Sequence, residues 1–149
     1  MNGQPIQSRR LEPIQRLAQG REDDAARRLA ESQRALERQE AQLRDMQRYL
    51  DEYSASPGGL LTPSLLANRE AFLRQLAEAL RWQAGAVGEA RNRLELARQH
   101  WVGRHRDTDV VERLLERSHD HERQQQERRA QRELDEFAQR LPLPGGAAG

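Results

Sequence analysis

The chain has 149 residues, of which 36% are hydrophobic, 33% charged and 4% aromatic. That balance is too poor in apolar side chains for a sizeable globular core. Its 25 basic and 24 acidic residues are interspersed, leaving a net charge of +1, which argues against the one-sided basic face of a nucleic-acid binder. Every basic residue is arginine, which reads first as genomic base-composition bias. With no cysteine, disulfides and thiolate metal sites are excluded. No stretch approaches the ~20 apolar residues of a membrane span. Residues 1–10 lack the apolar centre of a signal peptide. A cytoplasmic protein that meets a membrane only through partners is expected.

The abundant residues are Ala, Leu, Glu, Gln and Arg, all strong helix formers, so the fold class turns on periodicity. A first helix is expected over about 7–53, with Pro13 tolerated only in its first turn. Leu29, Leu36, Leu43 and Leu50 recur every seven residues, beside a weaker column of Ala18, Ala25, Ser32, Gln39, Met46 and Tyr53. Two such columns make a narrow seam, not a broad core-facing stripe.

Residues 54–63 read SASPGGLLTP and break the pattern as a turn. Thr62 or Ser64 can cap the next helix, with Pro63 at its first position. That second helix is expected over about 64–140. Leu66, Leu73, Leu80, Val87, Leu94, Trp101, Thr108 and Leu115 form a heptad column, accompanied by Leu76, Ala90, Ala97 and Val111 and interrupted by Gln83 and Arg104. A seven-residue repeat sustained this long specifies a left-handed supercoil. Folding back at the turn sets Leu115 opposite the N-terminus, so the apolar column stops where the first helix runs out. The expected fold is therefore all-α: a long two-helix antiparallel coiled-coil hairpin in one domain. Beyond Leu115 the chain stays helix-forming without an apolar seam until Leu134 and Phe137, which implies a single-helix C-terminal extension. Pro142 and Pro144 end it, and 141–149 is expected to be a flexible tail.

Chemistry-bearing motifs are absent. Neither GxxxxGK[ST] nor GxGxxG occurs, and no Ser–His–Asp or Cys–His set can be nominated. His119 and His121 flank Asp120, but helical residues two apart point to different faces, so a solvated charged face is expected there and no metal. No enzyme, cofactor or metal site is anticipated. The scarce aromatics Tyr49, Tyr53, Phe72 and Trp82 all lie near the turn. Tyr53 and Trp82 read as a plug fixing the turn. Tyr49 and Phe72 lie outside the leucine columns and read as binding anchors.

Four segments, taken in order, carry a resemblance. They are LEPIQRLAQGREDDAARRLA (11–30), QLRDMQRYLDEY (42–53), NREAFLRQLAEAL (68–80) and ERRAQRELDEFAQR (127–140). The ordered Asp-Asp-Ala-Ala, the Tyr-x-x-x-Tyr before the turn, the Phe after it and the terminal Asp-Glu-Phe together resemble the FliJ family of flagellar export proteins. The resemblance implies a component of the flagellar protein-export apparatus, similar to the coiled-coil part of a rotary ATP synthase's central stalk. It implies insertion into the export ATPase ring and contact with the cytoplasmic part of the export gate, with export chaperones as further partners and neither nucleic acid nor membrane insertion. By position, Gln42, Met46, Tyr49, Tyr53, Phe72, Leu76, Ala79 and Gln83 match the face the family turns to the gate, with Gln83 a departure where relatives can carry His. For the ring, the implied residues are Asp23, Asp24, Arg27, Arg34, Gln131, Asp135, Glu136 and Phe137. Gln131 and Arg132 depart from the acidic residue and Lys often found there. The competing readings are a generic coiled-coil spacer, which would be a parallel dimer, and an RNA-binding helical arm.

Overall fold

A computed structural model of the chain describes residues 7–56, 59 and 61–142. It is all-helical, with two long helices packed together, α1 (Ser8–Ala55) and α2 (Pro63–Arg140). Within the expected turn, 57, 58 and 60 lie outside the described residues, as does the expected tail from residue 143 onward, Pro144 included.

The start of α2 matches its chemistry. Thr62 Oγ1 accepts the Leu65 N–H at 3.3 Å and the Thr62 carbonyl accepts the Leu66 N–H at 2.9 Å, so Thr62 is the N-cap and Pro63 stands where its missing N–H costs nothing. The start of α1 departs from expectation. Since α1 begins at Ser8, Pro13 lies inside the helix, past the first turn. It removes the bond to the Arg9 carbonyl, a loss limited because Arg9 and Pro13 are both exposed and water can reach the freed oxygen.

Two compact units are formed. The second unit, Glu22–Arg104, holds the apolar core: Leu36, Val87 and Ala90 are buried, with Leu43 and Leu94 half-buried against them. Burial there recurs at alternating steps of three and four residues, as a heptad seam requires: Ala25, Leu29, Ser32, Leu36, Gln39 and Leu43 on α1, and Leu73, Leu76, Leu80, Gln83, Val87 and Ala90 on α2. The Gln83 interruption meets its own kind. Its amide donates to the Gln39 carbonyl at 3.0 Å and to Gln39 Oε1 at 2.7 Å, forming a satisfied polar layer inside an apolar seam. Such a layer fixes register, because a slip would part the two amides from each other.

Leu66, expected in the seam, is instead 47% exposed. The reason is that α1 ends at Ala55 and leaves Leu66 without a partner; the first seam position filled on α2 is Arg69. Its guanidinium donates to the carbonyls of Tyr53, Ser54 and Ser56 at 2.9–3.2 Å. The last turn of α1 has no basic residue of its own, so Arg69 supplies from the other helix the cation that orphan C-terminal carbonyls favour.

In the first unit, Met1–Arg21 with His105–Gly149, burial follows the same spacing through Ser8, Leu11, Gln15 and Ala18, and through Thr108, Val111, Leu115 and Ser118. Thr108 Oγ1 donates to the Ala18 carbonyl at 3.3 Å. The seam thus continues past Leu115, but in polar form. Glu122 accepts the Ser8 N–H at 2.9 Å and the Ser8 hydroxyl at 2.8 and 2.9 Å, acting as an N-cap borrowed from the other helix. From 123 to 142 every residue is exposed.

The Ser8 N–H bond, followed by the Ser8 hydroxyl, holds the Glu122 carboxyl below its ordinary range, with burial opposing and His119 and His121 assisting. A depressed folded-state pKa contributes stability above the unfolded pKa and loses it as pH falls through the folded one. Glu122→Gln should therefore melt earlier than the unaltered chain at neutral pH. The difference should shrink on acidification, as circular dichroism melts across the acid range will show.

Gly85 lies within α2 with open space where a Cβ would stand. Gly85→Ala should raise the stability read from the same melts by about 0.5–1 kcal/mol, since alanine fixes less backbone freedom on folding.

Candidate functional site

Near the C-terminal end of α1 the second unit gathers three aromatic rings. Tyr53 and Phe72 lie 4.8 Å apart between centroids, Tyr49 and Tyr53 stack at 6.3 Å, and Tyr49 meets Phe72 edge-on at 6.4 Å. The Arg69 guanidinium sits 5.9 Å over the Tyr53 ring, so the residue that caps α1 also fixes the cluster. Tyr53 is half-buried, while Tyr49 and Phe72 are 50% and 37% exposed. Beside them a groove of about 510 Å³ is lined by Tyr53, Phe72, Leu61, Leu65 and Arg69 among others. A rigid aromatic surface beside an open groove can bind a partner's apolar side chains.

The arrangement corrects one expectation. Trp82 does not plug the turn: it is 83% exposed and has no ring contact with the other three. Its place on α2 is the residue immediately before Gln83, one step out of the seam, so it faces solvent.

The eight residues matched to the gate face fall into one stripe per helix. Gln42, Met46, Tyr49 and Tyr53 are spaced 4-3-4 on α1, and Phe72, Leu76, Ala79 and Gln83 repeat that spacing on α2. Met46, Tyr53, Leu76 and Gln83 are the half-buried seam members, and the other four each precede a seam residue and are exposed. The structure brings Tyr49, Tyr53 and Phe72 into contact and ties Gln83 to Gln39. Arg69 was missed by sequence reasoning. Its signal was an arginine in the seam's phase where Leu66 was read as the column's start.

The residues matched to the ring belong to both units. In the second unit Asp24 pairs with Arg27 at 3.1 Å, and Arg27 Nε donates to the Asp23 carbonyl at 3.5 Å. In the first, Gln131 donates to Asp135 at 3.1 Å, and Glu136 and Phe137 are exposed, Phe137 by 64%. Arg34 and Glu136 stand on exposed helical surface. The Asp24–Arg27 ion pair is an exposed i,i+3 contact worth a few tenths of a kcal/mol. Beside His119 and His121, Asp120 pairs with Arg123 and Glu122 holds Ser8. Among the described residues no helix is long and apolar enough to cross a membrane.

The family profile described as "Flagellar FliJ protein" matches residues 7–145. The Flagellar FliJ protein of Salmonella typhi is 27% identical over 137 residues, which cover 89% of this chain and 93% of that protein.

Proposed function

The chain belongs to the FliJ family, and from that premise we propose that it is a non-catalytic component of the flagellar protein-export apparatus. It binds the cytoplasmic part of the export gate through the stripes that carry Tyr49, Tyr53 and Phe72. It enters the export ATPase ring through the ring-matched residues of α1 and the exposed helix beyond Glu122, and export chaperones are further partners. The protein is cytoplasmic and peripheral to the membrane through these partners. The observation that carries the gate assignment is the aromatic cluster, held by Arg69 yet left open beside its groove. Tyr49 and Phe72 keep much of their ring surface exposed and stand outside the leucine seam, which suits a binding surface.

Within each unit the helices pair antiparallel, and α2 outlasts α1 as a single helix. Supporting this, late residues of α1 meet early residues of α2 in the second unit, Tyr53 with Arg69 and Phe72, then Gln39 with Gln83. In the first, Ala18 meets Thr108 and Ser8 meets Glu122. Cysteines placed at Leu29 and Leu94 should cross-link within one chain; only intermolecular products would defeat the pairing and favour a parallel spacer. The function is tested by titrating the full chain against the isolated gate domain and against the assembled ATPase. Saturable binding to both is expected, and binding to neither rejects the reading.

A further inference from the structure

Four aliphatic side chains of the first unit stand in solvent with no part in the seam. Ile14 is 49% exposed, Leu17 56%, Val110 55% and Leu114 41%. Each is the residue immediately before a seam position: Gln15, Ala18, Val111 and Leu115 follow them. In two antiparallel helices the positions just before the seam on both chains face the same flank, as the Tyr49–Phe72 contact illustrates in the second unit. The four therefore make one apolar patch, with Ile14 and Leu17 from α1 beside Val110 and Leu114 from α2.

The surroundings of the patch are basic. By the same register Arg10 and Arg21 bracket it on α1, and Arg117 follows it on α2. None of these three side chains has an ion pair among the described residues. Asp107, which already has a partner, is the acidic residue of this flank. The opposite flank, read from the positions just after the seam, has Arg9, Glu12, Arg16, Gln19, Asp109, Glu112, Glu116 and His119, and no large apolar side chain. One side of the pair is thus apolar and arginine-rimmed, and the other polar with charges of both signs.

We propose that the flank of Ile14, Leu17, Val110 and Leu114 is a docking site for an acidic amphipathic helix of another protein, laid along the pair as a third helix. Its apolar stripe covers the four aliphatics and its carboxylates meet Arg10 and Arg117 at one end and Arg21 at the other. From Arg10 to Arg21 along α1 is roughly 16 Å, about three helical turns, which sets the minimum length of the partner helix. A second copy of this chain is a poor occupant, since its matching flank would set arginine against arginine and its other flank has no apolar stripe. The site lies outside the gate-matched and ring-matched residues. It rests on the antiparallel pairing proposed above, whose failure would show separately in the cysteine cross-links.

The test uses the full chain and two synthetic helical peptides of about three heptads, one with a leucine stripe edged by glutamates and a twin edged by lysines. The glutamate peptide should bind at least about tenfold more tightly than its twin. Leu17→Ser with Val110→Ser should weaken it by about tenfold or more, with the helical spectrum retained because both residues are exposed. Reversing Arg10, Arg21 and Arg117 to Glu should turn preference toward the lysine peptide. Equal binding of the two peptides, binding of neither, or indifference to the serine changes in a folded variant would overturn the proposal. Concentration-dependent self-association abolished by those changes would replace it with a second copy. Displacement of the peptide by a single-stranded RNA oligonucleotide would replace it with nucleic acid. The comparison of the two peptides on the unaltered chain decides even if a variant fails to fold.

Discussion

Leu36→Ala is expected to destabilise the fold by about 2–3 kcal/mol, the low end of the range for a buried leucine, measured as a shift in the urea midpoint. Leu36 is 8% exposed and packs with Val87 and Ala90, with Leu43 and Leu94 partly covering the group. No large side chain among the described residues is fully buried, so the cavity left by truncation opens toward water and adds less than it would in a thick core. Leu94→Ala removes a half-buried side chain and should cost less, about 1–2 kcal/mol by the area it loses. A Leu36→Ala chain as stable as the original would show that the contacts of this cluster do not hold the helices together. Equal losses at both positions would mean that burial does not grade the seam.

The heptad columns were legible because a repeat of seven leaves the same mark on sequence whether a position is fully or half buried. Leu29, Leu36, Leu43 and Leu50 and their partners from Leu73 to Leu115 lie in the seam as read. The errors fall where the seam is filled by polar atoms. Arg69 replaces Leu66 because the end of α1 needs hydrogen-bond donors more than it needs a methyl group. Ser118 and Glu122 continue the seam beyond Leu115 because the start of α1 needs an acceptor. Helix ends present unpaired backbone groups, and the residue that satisfies them can come from far along the chain. Hydrophobic periodicity does not record such pairings. Trp82 was misplaced for a related reason: a tryptophan reads as core by type, yet one step from Gln83 along the helix turns it to solvent. The gate-matched stripes rest on family resemblance, and their 4-3-4 spacing is that of one face on each helix. What covers those stripes is not encoded in the chain's own seam, because a partner's surface is the other half of the pattern.

Changing Tyr49 and Phe72 together to alanine is expected to separate binding from folding. Both rings precede seam residues, Leu50 and Leu73, and both keep a third to a half of their surface exposed. Their ring contacts are with each other and with Tyr53, while the Leu36 group lies elsewhere along the helices. The helical spectrum should stay intact and the melt should fall only modestly, since an exposed aromatic pair is worth about 0.5–1.5 kcal/mol beyond its buried area. Affinity for the gate domain should fall far more, because aromatic anchors buried on binding can each contribute ~2 kcal/mol or more, an approximately thirtyfold loss per residue. The two losses need not add, since the rings touch and their effects couple. Binding to the ATPase ring should survive, as Asp24, Arg27 and Phe137 are untouched. A double variant that unfolds would make the cluster a structural clasp. One that stays folded and binds the gate domain as tightly as before would remove the aromatic stripe from the interface. Loss of gate and ring binding together, with folding preserved, would mean that the two surfaces act as one.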